Sequence, residues 1–422
     1  MRKTIYYSIM GAMFCCFLEI LGYFGFFLIG EPFDRTFIQE LKEPSLAGGS
    51  AISQTVSQAV VVHPFQGTVY SADPLRKTDE AERYPITKYG FSDKAEPFFH
   101  KRPDQVILAV MGGSVAGIFG KEGVETLEGE LKKSPPFSKK KFIFVNLGIG
   151  GYKQPQQLMT LTYLLVQGAE FDIVLNIDGF NEVALYPAEN RASGIYPWFP
   201  RRWHVKVQEM KDPNAMRNLL EVVLWEERKK AWAAIFEKAP IKYSVSANFV
   251  WRVFDRRMNL YLERAQELAK SSQSELRYQA VGPGADFKDD DSMYRELTNI
   301  WKRSSVELFK LCRAHGIAYY HFLQPNQYAP PYKPMSEREH KIAYGNSGYG
   351  QFVEAGYPYL KNAGQELKAE GIHYFDLTGV FKNVETPLYI DNCCHFNRLG
   401  NEIMAKEIAH SLLEEGGKTP LS

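Results

Sequence analysis

FVNLGIGGYKQPQQ, residues 144–157, passes from an apolar run into three glycines within four positions and then into a Gln-rich segment. Each glycine loses more backbone freedom on folding than any other residue, so such a cluster marks tight turning or close backbone approach. Neither G-x-G-x-x-G nor G-x-x-x-x-G-K-[ST] can be read there, which removes the phosphate-loop explanation. What remains is a strand, a bare-backbone loop and a helix. The same unit recurs along the chain. DQVILAVMG (104–112), KKFIFVNLG (140–148), FDIVLNIDG (171–179), GIAYYHFLQ (316–324) and GIHYFDLT (371–378) read as strands. Helical patterns such as 156–170 and 398–415 fill the gaps. Strands separated by helices predict parallel pairing in an open sheet covered on both faces. The functional crevice of such a sheet lies beyond the carboxyl ends of its strands. The first three strands end there in GGS, LGIGG and DGFNE.

About 135 residues separate the third and fourth strands, far more than one crossover needs. Residues 215–239 and 249–273 carry an amphipathic helical pattern, so a helical insertion over about 187–300 is expected, capping one side of the site. Its leading edge, IYPWFPRRWH (195–204), reads either as half-buried loop aromatics or as a contact for lipid headgroups or sugars. KDDD (288–291) reads as a solvated loop, and no internal repeat stands out.

Composition narrows the function classes. The chain has 422 residues, is 45% hydrophobic and carries a formal net charge of +1, so it can bury a core, while a nucleic-acid protein would show a basic excess. Aromatics reach 14%, a level that sugar-stacking surfaces, cores and membrane anchors all use. Five cysteines form no disulfide framework, Cys393 and Cys394 are read as reduced neighbours, and no Cys/His spacing resembles a zinc site. No metal or cofactor is expected.

Ile5 to Ile29 is an almost unbroken apolar run interrupted by one acid, Glu19. As a helix it would reach ~37 Å at ~1.5 Å per residue, enough to span a bilayer with some tilt. A cleaved signal peptide is the rival, but its apolar core is shorter and ends at a small-residue site that is missing here. Arg2 and Lys3 precede the run while Glu31, Asp34 and Arg35 follow it, so the positive-inside bias puts the N-terminus in the cytosol and the rest outside. Glu19 is expensive in such a span: it has a specific role, or it is protonated or paired in a helix dimer. The expected layout is an anchor over 1–30, a small polar tether over 31–60 and a folded domain over 61–422.

The strand ends supply chemistry. Ser114 in MGGSVA (111–116) follows a strand among small residues that leave its hydroxyl exposed. A serine is a poor nucleophile unless an adjacent base takes its proton. His395 in YIDNCCHFNRLGNEIMA (389–405) can be that base, with Asp391 to fix its tautomer. The Ser114 N–H, a glycine N–H from GIGG and the Asn181 side chain would then face a developing oxyanion. His321 and His373 lie within strand patterns and read as core. Gln324 and Asn326, in LQPNQ after the fourth strand, are expected to face the crevice as substrate contacts.

With these residues in place the chain resembles the SGNH hydrolases, the GDSL-like esterases named for Ser, Gly, Asn and His in four blocks. GGSVA resembles the first block and carries Ser114; NLGIGGY resembles the second and puts the oxyanion glycine at Gly151, with Gly148 and Gly150 as alternatives. DGFNE resembles the third and carries Asn181; DNCCHFNRLGN resembles the fourth and carries His395. The resemblance spans residues 60 to 415. It implies a flavodoxin-like three-layer α/β/α fold with a five-stranded parallel sheet and an acyl-serine mechanism. Two positions depart from the pattern. Gly113 stands where the family has an acid, and Asp391 lies four residues before His395 rather than three. Either Asp391 still reaches the histidine or a backbone carbonyl orients it. The expected activity is that of a membrane-anchored serine esterase cleaving O-acyl esters on cell-envelope or secreted glycans, with an acylated carbohydrate or other small ester as substrate. The alternatives are an O-acetyltransferase using the same Ser–His site and a non-catalytic glycan-binding or assembly protein with a degenerate site.

Overall fold

The computed structural model describes residues 2–30, 33, 60–71, 84–207, 213–236, 238–271, 278–344 and 348–416. Apart from residues 33 and 60, the expected tether over 31–60 lies outside them. The chain forms two compact units, one of residues 1–57 with 209–276 and one of residues 58–208 with 277–422. Of the 187–300 stretch expected as an insertion, residues up to 208 and from 277 belong to the sheet-bearing unit.

In chain order the elements used below are α1 (Arg2–Ile29), β1 (Val60–His63), β2 (Gly67–Tyr70), β3 (Gln105–Gly112), α2 (Ser114–Glu122), α3 (Val124–Leu131), β4 (Lys141–Asn146), α4 (Gln156–Val166), β5 (Ile173–Asp178) and α5 (Phe180–Leu185). They continue with α6 (Pro213–Phe236), α7 (Val245–Ser271), α8 (Asp290–Ala314), β6 (Ala318–Leu323), α9 (Gly350–Ala369), β7 (His373–Asp376) and α10 (Arg398–Gly416).

The sheet unit holds five parallel strands in the order β4-β3-β5-β6-β7. Numbered along the sheet this is 2-1-3-4-5, the flavodoxin-like winding, whose switch point lies between β3 and β5. Each expected strand contains the observed one. Pairing runs from Ile107 beside Ile143 through Val110 beside Leu175 and Ile177 beside Phe322 to Phe322 beside Phe375. β3 is buried from Val106 to Gly112 and β5 over its whole length. That is why their sequences read as continuous apolar runs: both faces are covered, so no polar alternation is needed. Helices α2, α3 and α10 pack together over one face, and α4, α8 and α9 over the other, giving the three-layer α/β/α sandwich. The short antiparallel pair β1–β2, which the sequence reading did not anticipate, turns over Pro64–Gln66 with His63 Nδ1 accepting the Phe65 and Gln66 N–H groups.

In the other unit, α1 has one segment, Ile9–Ile29, long and apolar enough to cross a bilayer. Helices α6 and α7 form an antiparallel hairpin, with Trp225 stacked on Tyr261 and Phe236 against Trp251. Glu19 has partners within the chain. Its carboxylate accepts hydrogen bonds from Ser244 Oγ, the Val245 N–H and Ser246 Oγ at the start of α7. A carboxylate at a helix N-terminus meets unpaired N–H groups and the positive end of the helix dipole, so α7 solvates Glu19.

Candidate active site

The four sequence blocks meet where β3 and β5 end. Ser114 is the first residue of α2, entered through Gly113 in an extended conformation. Its Oγ lies 2.7 Å from His395 Nε2. His395 comes from the opposite end of the chain, on the loop between β7 and α10. That loop is a small hairpin: Tyr389 and Phe396 bridge antiparallel, the Ile390 N–H bonds the His395 carbonyl, and the Asn397 N–H bonds the Leu388 carbonyl. Asp391 sits inside the turn. Its Oδ1 accepts the N–H groups of Cys393 (2.9 Å), Cys394 (3.1 Å) and His395 (3.2 Å), while Oδ2 faces His395 Nδ1 in a short hydrogen bond. The hairpin absorbs the extra residue between acid and histidine, and the carboxylate both caps the turn and orients the ring.

The two groups bias each other's protonation. Burial pulls the His395 pKa down, but the hydrogen bond and charge of Asp391 outweigh it and leave it above the ordinary histidine value. Burial alone would raise Asp391; the bond to His395, its charge and the turn amides hold it below the usual carboxylate range.

Asn181 is the second residue of α5, and its Nδ2 donates to the Tyr152 carbonyl (2.6 Å), which uses one of its two N–H groups. A Cβ on Gly113 would come within 2.2 Å of that Nδ2, so the family acid could not stand here without moving Asn181. The opening glycines divide their work. A Cβ on Gly148 would strike the backbone of Gly117 in α2 at 2.3 Å, so Gly148 is there for packing. The Gly148 N–H bonds Asn146 Oδ1, and the Gly150 N–H bonds the Tyr70 hydroxyl. Gly151 has φ +79, which glycine adopts without strain, and no hydrogen bond among the described residues uses its N–H.

Glu182 joins the glycine loop to the start of α5. One carboxylate oxygen takes the Gly179 N–H at the start of α5, and the other takes the Gln154 N–H of the glycine loop. Burial and the neighbouring Asp178 push its pKa up. Asp178, at the end of β5, is the centre of a buried network: Oδ1 accepts Trp301 Nε1–H (2.6 Å) and faces His321 Nε2 (2.8 Å), and Oδ2 accepts Asn176 Nδ2–H (2.7 Å). His321 is a core residue, with Nδ1 on Ser305 Oγ. Neither acid was singled out in the sequence, although both belong to DGFNE.

Gln324 and Asn326 are only 3% and 2% exposed. The Asn326 side chain donates to the Cys393 carbonyl and accepts the Tyr328 N–H, so it holds the Asp391–His395 hairpin. Gln327 and Tyr328 do the same through the carbonyls of Asp391 and Asn392. The IYPWFPRRWH segment contributes Arg201, whose Cδ lies 3.0 Å from where a Gly151 Cβ would stand. Glu189 holds that arginine at two points, 2.6 and 2.7 Å, and also pairs with Arg202. Trp203 donates to the Gln279 carbonyl, and Trp198 stays half-exposed against Tyr196.

The donor atoms of Cys393, Cys394 and His395 lie within 4.8 Å of one another, the one such group among the described residues. They do not fit a metal. Both His395 nitrogens are engaged by Asp391 and Ser114, and burial drives the Cys394 thiol well above its ordinary pKa, away from the thiolate a metal needs.

No protein-family model and no curated protein matches the chain. Among solved structures, the acetyl xylan esterase AlAXEase is similar at 10% identity and a TM-score of 0.32, over 73% of this chain and 98% of its own. An inhibitor-bound aryl esterase of M. smegmatis is similar at 10% identity and a TM-score of 0.29, over 74% of this chain and 99% of its own. Likeness at this distance says nothing of substrate.

Proposed function

We propose that the protein is a membrane-anchored serine esterase that removes O-acyl groups, O-acetyl above all, from cell-envelope or secreted glycans. The observation that carries this reading is the continuous line from Asp391 through His395 to Ser114 Oγ at 2.7 Å. In it, His395 Nε2 takes the Ser114 proton as Oγ attacks the ester carbonyl, and returns it to the leaving alkoxide. Asp391 keeps the other ring proton on Nδ1 and stabilises the imidazolium. The oxyanion is received by the N–H groups of Ser114 and Gly151 and by the second N–H of Asn181. Water then releases the acyl group by the same steps in reverse roles. α1 anchors the chain with its N-terminus in the cytosol, and the sheet unit works on the far side.

A fluorophosphonate probe tests the mechanism: it should label Ser114 in the full-length protein and leave Ser114→Ala unlabelled. Failure to label the wild type would refute it. Acetate release from acetylated glycans, measured with and without an added sugar acceptor, tests the substrate class. Transfer to the acceptor in place of release would make the protein an O-acetyltransferase, and neither outcome would leave the glycan reading without support.

A further inference from the structure

We infer that the tip of the α6–α7 hairpin, residues 231–254, is inserted into the outer half of the lipid bilayer beside α1. The inference rests on the reading that α1 spans the membrane. Its first support is register. Glu19 meets Ser244 and Val245, Gly22 approaches the Ser246 backbone to 2.5 Å from its would-be Cβ, and Gly25 approaches the Phe249 ring to 2.7 Å. Phe26 also packs edge-on against Phe249 at 5.6 Å. Each step along α1 is matched by a step along α7, so the two helices run parallel. Ile29, the last residue of α1, is therefore level with Val253. Across the hairpin, Trp232 meets Phe254 at 5.8 Å and belongs to the same level. Everything from there to the tip lies alongside the last ten residues of a segment apolar enough for hydrocarbon.

The second support is a step in charge at that level. Residues 231–254 contain four charged side chains in 24: Glu237, Lys238, Lys242 and Arg252. Immediately beyond it the density rises, to seven in 18 over 213–230 and seven in 17 over 255–271. The third is exposure. Trp232, Ile235, Tyr243, Val250, Val253 and Phe254 present large apolar surfaces outward, on the stretch where charge is sparse. In water such a ring of side chains would cost the hydrophobic free energy of each; in lipid it costs nothing. The α1 face at the same height is also apolar and exposed, with Tyr23, Phe24, Phe27 and Leu28. The lysines at the tip fit this placement through their stems. Lys242 lies over the Tyr243 ring at 5.0 Å, and both amines can draw phosphate groups inward and thin the leaflet locally.

The test uses the full chain reconstituted in vesicles of phosphatidylcholine with a minority of phosphatidylglycerol. A carbene-generating diazirine carried on the lipid acyl chain is photolysed, and adducts are mapped by peptide mass spectrometry. Adducts are expected in α1 and in 231–254, at least about tenfold denser than in 213–230 and 256–271, because lipid-borne carbenes reach only what hydrocarbon covers. Adducts in α1 with none above that background in 231–254 would overturn the inference and leave the anchor standing. Adducts in neither would overturn the anchor reading and the inference together.

Discussion

Asp391→Asn separates the two tasks of that carboxylate. The new amide has two orientations. If its oxygen stays on the three turn N–H groups at 2.9, 3.1 and 3.2 Å, its NH2 faces His395 Nδ1. The ring must then accept at Nδ1 and carry its proton on Nε2, which points at Ser114 Oγ and can no longer take its proton. If the amide flips, the tautomer is right but an NH2 faces three N–H donors. Orphaning them costs about 1–3 kcal/mol each. The competent orientation therefore lies roughly 3–9 kcal/mol up and is populated at about 10⁻² to 10⁻⁷, with each 1.36 kcal/mol counting tenfold. A fall of ~10⁴ in kcat, as the same change produces in a serine-protease triad, sits in the middle of that range. The assay is hydrolysis of a chromogenic acetyl ester by wild type and variant, with circular dichroism to verify the fold. A loss of less than about tenfold in a folded variant would show that Asp391 does not set the tautomer, because even the cheapest flip predicts about a hundredfold. The residual activity carries a second signature. His395 must be neutral to act as base, and Asp391 raises its pKa, so the acid limb of kcat/KM for the wild type should lie above the ordinary histidine value near ~6.5. In Asp391→Asn that limb should move to lower pH.

Gly113→Ala should push the Asn181 amide from its place and cost about 10²–10³ in kcat, as loss of one oxyanion donor does, with the sheet intact by circular dichroism; unchanged turnover would remove Asn181 from the oxyanion site. Asp178→Asn turns one acceptor oxygen towards buried donors as an NH2, and should lower the melting temperature of the sheet unit by about 5–10 °C, the equivalent of a few kcal/mol. A shift below about 2 °C would mean that the network contributes little. The anchor should resist carbonate extraction and keep its N-terminal residues; release of a chain starting beyond residue 30 would show cleavage instead.

The fold could be read because its central strands are covered on both faces, which writes them as unbroken apolar runs, and because each ends in residues small enough to turn. Ser114 and Asn181 could be placed near each other because they follow neighbouring strands of a parallel sheet, whereas His395 lies on the long loop between β7 and α10 and was singled out by its local sequence. What escaped the sequence depends on partners far along the chain. Trp301 reaches Asp178 across 123 positions, and Ser244 reaches Glu19 across 225. No local pattern announces such pairs. Asn326 follows the end of β6 as its sequence position implies, but its amide bonds the neighbouring loop, a partner that a strand-end position does not announce. Gly113 reads as a lost acid by alignment, and only the position of Asn181 reveals that a side chain there has no room.

The hairpin between Tyr389 and Phe396 is held by its own backbone, by side-chain bonds from Asn326, Gln327 and Tyr328, by Glu339 on the Tyr389 N–H, and by Tyr389 and Phe396 buried against Phe381. Acid and base therefore travel together on one small cooperative segment, while the nucleophile belongs to the core. Opening that segment would uncover Tyr389, Cys394 and Phe396, all buried in the core, so it is costly relative to unfolding of the sheet unit. On heating, turnover should therefore be lost together with the sheet and not ahead of it, so activity and circular dichroism should fall over the same temperatures.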